Sequence, residues 1–167
     1  IKNPQDYSVI VASNVFGDIL SDEASQLTGG LGFAPSGNIG KDAALFEPSS
    51  GSVPKYAHQY RVNPSAMVLT SKMMLEYLGL DEAAQKIEKA LGEVLVENKP
   101  GTLTYDVLRD FRGDPDWEKN AASTIDMAAA IAGKIDPAFK GEKLEAAKAK
   151  VRKMCAWDEA SLIGFND

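Results

Sequence analysis

"NVFGDILSDEASQLTGGLG", residues 14–32, places two aspartates, Asp18 and Asp22, four positions apart and then runs into Gly29, Gly30 and Gly32. On a helix, residues four apart share a face, with Cβ atoms ~6 Å apart. Asp18 and Asp22 can therefore bind one hard cation together. Mg²⁺ and Mn²⁺ suit carboxylates, with substrate and water filling the remaining positions. The same acids also suit a helix N-terminus, where negative charge is favoured and Asp18 could cap the first turn. Spacing alone leaves both readings open and favours the second. The glycines end the helix, expected over roughly 18–28, because they accept a left-handed backbone. They also permit close approach of a ligand, although their spacing is not that of the usual dinucleotide fingerprint.

Outward from this stretch the pattern is mixed. "YSVIVAS" (7–13) is a short β-branched run that reads as a buried strand. Residues 31–48 are punctuated by Gly and Pro, with strand-like pieces near 32–34 and 43–46. Residues 49–62 show little periodicity and read as a long surface loop, a kind of segment that often carries function. Asn63 and Pro64 open a helix that runs to about Leu78. That helix is apolar nearly all round and is expected to be central. Asp81 caps an amphipathic helix to about Asn98, a short helix follows a loop in 101–111, and "RGDPDWEKN" is a polar connection. Further helices are expected at 121–135 and 141–155.

The chain has 167 residues, enough for one domain with a sizeable core. Its formal net charge of −6 argues against general nucleic-acid binding. No apolar run approaches the roughly 20 residues that span a bilayer, so no membrane partner is expected. No signal peptide is read at the start. A single cysteine, Cys155, excludes an internal disulfide and fits a reducing, cytoplasmic compartment. The chain opens at Ile1 and reads there like the middle of a domain, so a fragment is expected.

The loop at 49–62 offers small residues and donors: Ser50, Ser52, Lys55, Tyr56 and Arg61. Tyr105 and Arg109 stand four apart on the later short helix, hence on one face. Lys, Arg and Tyr groups of this kind attract phosphate monoesters through charge-assisted hydrogen bonds. A solvated loop and a surface helix explain the same residues, and without further context that simpler reading is preferred. His58 is the only histidine, so a histidine-assisted nucleophile would have to pass through it. Its neighbours Ala57 and Gln59 suggest an exposed loop residue instead. Cys155 reads as a packed residue of the last amphipathic helix.

Four motifs change this balance. "N-x-x-G-D-I-L-S-D" (14–22), "GGLG-x-AP-S-x-NIG" (29–40), "FE-x-x-x-G-S-x-PKYA" (46–57) and "VNP" (62–64) occur in order. Together they resemble the isocitrate/isopropylmalate dehydrogenase family of metal-dependent β-decarboxylating dehydrogenases, over Asn14 to about Arg109. The resemblance implies an α/β fold: part of that family's large domain, with few strands followed by several helices. Residues 1–135 would be the C-terminal part of the large domain and 136–167 a helical C-terminal extension. It implies Asp18 and Asp22 as ligands of Mg²⁺ or Mn²⁺, with a further aspartate from the partner subunit of a homodimer. The helix carrying them would pack beside its symmetry mate through Ile19, Leu20, Ala24 and Leu27. The family's acid/base tyrosine and lysine and its substrate-clamping arginines would lie upstream of Ile1, so no catalytic residue is assigned here.

The family's nicotinamide cofactor does not sit in a Rossmann fold. It lies along loops similar to Leu31, to Glu47–Tyr56 (Glu47, Ser50, Gly51, Ser52 and Val53 among them) and to Val62 and Asn63, with Asn63 on the adenine. Lys55, Tyr56, Tyr105 and Arg109, with Asp106 beside them, resemble the set that holds the 2′-phosphate of NADP in bacterial-type isocitrate dehydrogenases. NAD-using relatives commonly carry an acid where Lys55 stands. Two positions depart from the pattern: Ser50 replaces a histidine that stacks on adenine, and His58 replaces a glycine.

The reading carried forward is therefore part of an NADP-dependent isocitrate dehydrogenase that converts isocitrate to 2-oxoglutarate. The alternatives are a dehydrogenase of 3-isopropylmalate or a related malate, and a non-catalytic chain that binds nucleotide or a partner.

Overall fold

The structure, a computed structural model, describes residues 1–154. The chain divides into two compact units: Ile1–Val53 with Asn63–Leu91, and Pro54–Val62 with Gly92–Asp167.

The first unit contains helix α1 (Asn14–Ser25), strands β1 (Pro35–Ile39) and β2 (Ala44–Pro48), helix α2 (Ser65–Tyr77) and the start of helix α3 (Asp81–Glu97). α1 begins four residues earlier than the sequence indicated, with Ser13 as its N-cap, and passes into a 3-10 turn, Gln26–Thr28. Gly29 and Gly30 then take φ of 110° and 86°, the left-handed backbone that only glycine accepts without strain. The strands form an antiparallel hairpin in which Pro35 faces Pro48 and Ile39 faces Ala44. The strand-like piece placed near 32–34 is instead a 3-10 turn, Leu31–Phe33, and extended backbone starts at Pro35. β2 matches its expected position closely.

α2 lies against this hairpin. Gly37 allows the approach, since a Cβ there would stand 3.3 Å from the Met73 sulfur and from the Phe46 ring. The Phe46 and Tyr77 rings pack with centroids 5.5 Å apart. α2 is less central than its composition suggested. Ser65, Ala66 and Thr70 are buried, while Met67, Met74 and Tyr77 remain exposed. Asn63 does help start the helix, its side-chain oxygen accepting from the Ser65 N–H at 2.9 Å.

One expectation fails here. Residues 7–13 form no strand, and Val9 and Val11 are 80% and 91% exposed. A β-branched run becomes a strand only when a neighbour takes up its backbone donors and acceptors. Among the described residues the only sheet is the β1–β2 hairpin.

The second unit is helical. It takes the end of α3 and then a π-helical turn, Val107–Phe111, where an ordinary short helix was expected. Helices α4 (Trp117–Asn120), α5 (Thr124–Ile135) and α6 (Glu142–Met154) follow. Its core includes Val94, Leu103, Val107, Leu108, Ile125, Met127 and Ile131. Backbone bonds join its pieces: Ala122 N donates to Leu103 O and Thr124 N to Tyr60 O, both at 2.7 Å. The Thr124 hydroxyl donates to Val62 O. These three bonds hold the 54–62 loop, the 101–111 segment and the start of α5 together. Ser123 caps α5, accepting from Asp126 N at 3.1 Å. Cys155, the last residue of the helix expected at 141–155, lies outside the described residues.

No helix among the described residues is long and apolar enough to cross a membrane.

Candidate functional site

Two groups of the residues singled out above can now be placed, one in each unit. In the first unit, α1 carries Asp18 and Asp22 on its exposed surface. Because α1 starts at Asn14, no acid lies in its first turn. The helix-dipole effect fades within that turn, and the cap is Ser13. The electrostatic alternative that spacing alone favoured thereby loses its basis. Asn14 Nδ2 donates to Asp18 Oδ2 at 3.4 Å, and no Lys or Arg among the described residues pairs with either carboxylate. Two hard oxygen donors, one turn apart and unneutralised, fit a divalent cation that takes its other ligands elsewhere. Among the described residues no third acid, His or Cys joins them.

In the second unit, Lys55, Tyr56, Tyr105 and Arg109 come together, although about fifty residues separate the two pairs. The Tyr56 and Tyr105 rings meet edge to face at 5.8 Å, and Tyr105 packs on Trp117 at 6.0 Å. Lys55 Nζ stands 5.4 Å from the Tyr56 ring centre, and Arg109 Cζ 5.5 Å from that of Tyr105. The π-helical turn just after Tyr105 alters the spacing of an ordinary helix, yet Arg109 still reaches the Tyr105 ring. Single π turns of this kind recur at functional sites.

The hydroxyls respond to these surroundings. Hydrogen bonding with Tyr105, then the charges of Lys55, Arg61 and Arg109, lowers the pKa of Tyr56. Burial, then the bond to Tyr56, raises that of Tyr105. The two hydroxyls share a hydrogen bond, and the Tyr56 oxygen sits among cations. The charges of Lys55, Arg61 and Arg109 beside these hydroxyls suit an anion.

Three participants were not assigned from sequence. Arg61 lies 5.4 Å from the Tyr56 ring and 5.0 Å from Tyr105. It was legible only as one donor among several in the loop. Trp117, within what read as a polar connection, forms the far wall. It is set by Asp114, which accepts from Asp116 N at 2.8 Å and from Asn120 Nδ2 at 2.9 Å. Asp110 binds Arg109 in two-pronged fashion, at 2.6 and 2.9 Å. The Arg109 guanidinium holds the Asp110 carboxyl below the usual carboxylate range. Beside the rings is a cavity of about 390 Å³, lined in part by Gln59, Arg61, Tyr105, Trp117 and Ser123.

The other expected cofactor residues have varied surroundings. Leu31 opens the 3-10 turn, and Glu47 is exposed on β2, where its carboxylate accepts from Asn38 at 3.5 Å. Ser50 is half-buried, and Gly51 and Ser52 are exposed. Val53 takes a φ of 46°, a costly backbone for a β-branched residue. Val62 offers its carbonyl to Thr124, and Asn63 is buried at the start of α2. Asp106 is half-buried beside Tyr105. His58 is exposed, as expected of a loop residue.

Comparison with known proteins decides the family. The model of the family described as isocitrate/isopropylmalate dehydrogenase matches residues 1–131. The chain belongs to this family. It is 46% identical over 136 residues to a 3-isopropylmalate dehydrogenase of Methanothermobacter thermautotrophicus, covering 81% of this chain and 37% of that protein. It is 47% identical over 113 residues to an NADP isocitrate dehydrogenase of Archaeoglobus fulgidus, covering 68% of this chain and 27% of that protein. Among solved structures, the isocitrate dehydrogenase of Methylococcus capsulatus matches with a TM-score of 0.68 and 42% identity, over 79% of this chain and 36% of that one. The chain thus spans about a third of the length of these relatives. The α/β large-domain likeness read from the four motifs holds, with one hairpin among the described residues as its strand content.

Proposed function

We propose that this chain supplies the metal-binding and cofactor-binding part of an NADP-dependent dehydrogenase that oxidises and decarboxylates isocitrate to 2-oxoglutarate. The observation that carries the proposal is the gathering of Lys55, Tyr56, Tyr105 and Arg109 around two packed tyrosine rings. Two cations and two hydroxyls fit a dianionic 2′-phosphate and poorly fit the bare ribose of NAD. In the first unit, Leu31, Glu47, Ser50, Gly51, Ser52, Val53 and Asn63 are assigned as further cofactor contacts, and in the second Val62 and Asp106. Asp18 and Asp22 would hold Mg²⁺ or Mn²⁺, which supplies positive charge to the hydroxyl and carboxylate oxygens of a 2-hydroxy acid. In the reaction a hydride leaves the hydroxyl-bearing carbon for the nicotinamide ring and the hydroxyl loses its proton. The bond to the β-carboxylate then breaks, CO₂ departs with its electron pair left on carbon, and a proton is taken up there. The working state proposed is a cytoplasmic homodimer.

A second reading keeps the site and changes the acid to 3-isopropylmalate. The 46% identity with a relative of that name supports it. Turnover of the full-length protein with each acid separates the two.

The cofactor reading is tested by kcat/KM for NADP over NAD in the full-length protein and in Lys55→Asp with Arg109→Ala. Charge-assisted hydrogen bonds contribute ~1.5–3 kcal/mol each, so each lost contact should reduce the preference by about ten- to a hundredfold. A wild-type preference for NAD, or a double variant that keeps its NADP preference, would overturn the assignment.

A further inference from the structure

The four residues assigned to the phosphate do not account for the charge around it. Three cations surround the tyrosine pair: Lys55, Arg61 and Arg109. Arg109 is already held through two nitrogens by Asp110, so much of its charge is answered within its own turn. Arg61 differs in three ways. It pairs with no carboxylate among the described residues. It is half-buried where Arg109 is exposed. It also belongs both to the ring cluster and to the wall of the 390 Å³ cavity, where Tyr105, Trp117 and Ser123 join it. Glu118 also lines that cavity, and it is exposed and not paired with Arg61.

Stacking explains how a half-buried cation can stand without a carboxylate. The faces of Tyr56 and Tyr105 attract the guanidinium through their quadrupoles. Contact with ring faces leaves the N–H donors around the rim of the guanidinium to bind something else. The position is also fixed by backbone, because the adjacent carbonyls of Tyr60 and Val62 both accept from Thr124. A planar, pre-positioned and uncompensated guanidinium is what a phosphate monoester binds best.

We propose that Arg61 is a specificity-determining residue that binds the 2′-phosphate of the cofactor, supplying the charge that Arg109 shares with Asp110. This rests on the NADP reading above and adds a contact to it.

The test is calorimetric titration of the full-length protein with 2′,5′-ADP and with 5′-AMP, which differ only in the 2′-phosphate. Wild type should prefer 2′,5′-ADP. Arg61→Ala should weaken 2′,5′-ADP about tenfold or more and leave 5′-AMP unchanged, as expected for loss of one charged contact. Arg61→Lys, which keeps the charge but not the flat fork, should recover part of the loss. If wild type binds both ligands equally, the NADP reading fails and takes this proposal with it. If wild type prefers 2′,5′-ADP and Arg61→Ala keeps that preference, only the Arg61 assignment fails. An equal loss of both ligands in Arg61→Ala would show that the residue merely supports the fold, and would overturn it too.

Discussion

At the scale of single residues, position within a helix decides between chemistry and electrostatics. Asp18 and Asp22 had two explanations while the start of α1 was unknown. With Ser13 as cap and Asn14 as the first helical residue, neither acid is near enough to the N-terminus to serve it. The proposed metal role gains from this and makes a direct prediction. Asp22→Asn in the full-length protein should weaken Mn²⁺ binding at least tenfold in a titration without substrate, since one of two anionic donors is lost. Metal affinity equal to wild type would sink the assignment. His58 shows how a departure from a family pattern acquires physical content. Its φ is 61°, in the left-handed region where glycine fits without strain, and glycine is the residue that the family resemblance implies at that position. The sequence showed the replacement, and only the backbone shows its cost. Arg61 is the opposite case. Nothing in "YAHQYRVNP" marks it above Lys55, because its distinction lies in rings that meet only after folding.

At the scale of elements, what was legible followed the range of the forces involved. Helices α2, α3, α5 and α6 were found near their expected places because caps, glycines and apolar periodicity act within a few turns. The run at 7–13 misled because a strand depends on a partner that local sequence does not reveal. The π turn at 107–111 had no signal at all. α6 is tied down by contacts no periodicity shows. Lys148 Nζ donates to Asp126 Oδ1 at 2.8 Å, and the Ser123 hydroxyl donates to Asp126 Oδ2 at 2.7 Å. Lys148, then Ser123, lowers the Asp126 pKa, and Asp126 raises that of Lys148. The depressed acid contributes stability above its ordinary value of about 4, lost as pH falls through the lower folded pKa. The raised amine contributes below its ordinary value of about 10.4, lost as pH rises through the higher folded pKa. The tether should therefore be complete between these two values and weaken outside them. Hydrogen exchange of the α6 amides, corrected for intrinsic rates, reads this out. Lys148→Met should lower α6 protection at neutral pH and remove its extra loss in acid. Protection unchanged by the substitution would show that apolar packing alone holds α6.

At the scale of the whole molecule, the unanswered surface is the most informative. α1 and the 3-10 turn after it expose large apolar side chains, with Ile19 and Leu20 of α1 at 61% and 45%, Leu27 of the turn at 46%, and Val15 and Phe16 still more open. A helix face of this kind is costly in water and suits a surface that is buried in the working protein. Composition could not distinguish it from a face turned to the chain's own core, since both need the same 3.6-residue periodicity. In the structure Ile19, Leu20 and Leu27 stay exposed among the described residues, while Ala24 is half-buried. The homodimer proposed above would set α1 against its symmetry copy, so that the same patch serves both partners. An isologous contact doubles every substitution, which sharpens the test. Leu20→Asp places two charges in the apolar centre of such an interface, where unpaired burial is strongly unfavourable. In sedimentation of the full-length protein, wild type should be dimeric and Leu20→Asp should raise the dissociation constant at least a hundredfold, or about 2.7 kcal/mol. Exposed positions away from the stripe, such as Lys2→Asp, should leave the dimer intact. A Leu20→Asp dimer as tight as wild type would mean that α1 faces solvent in the working protein and that the subunits meet elsewhere.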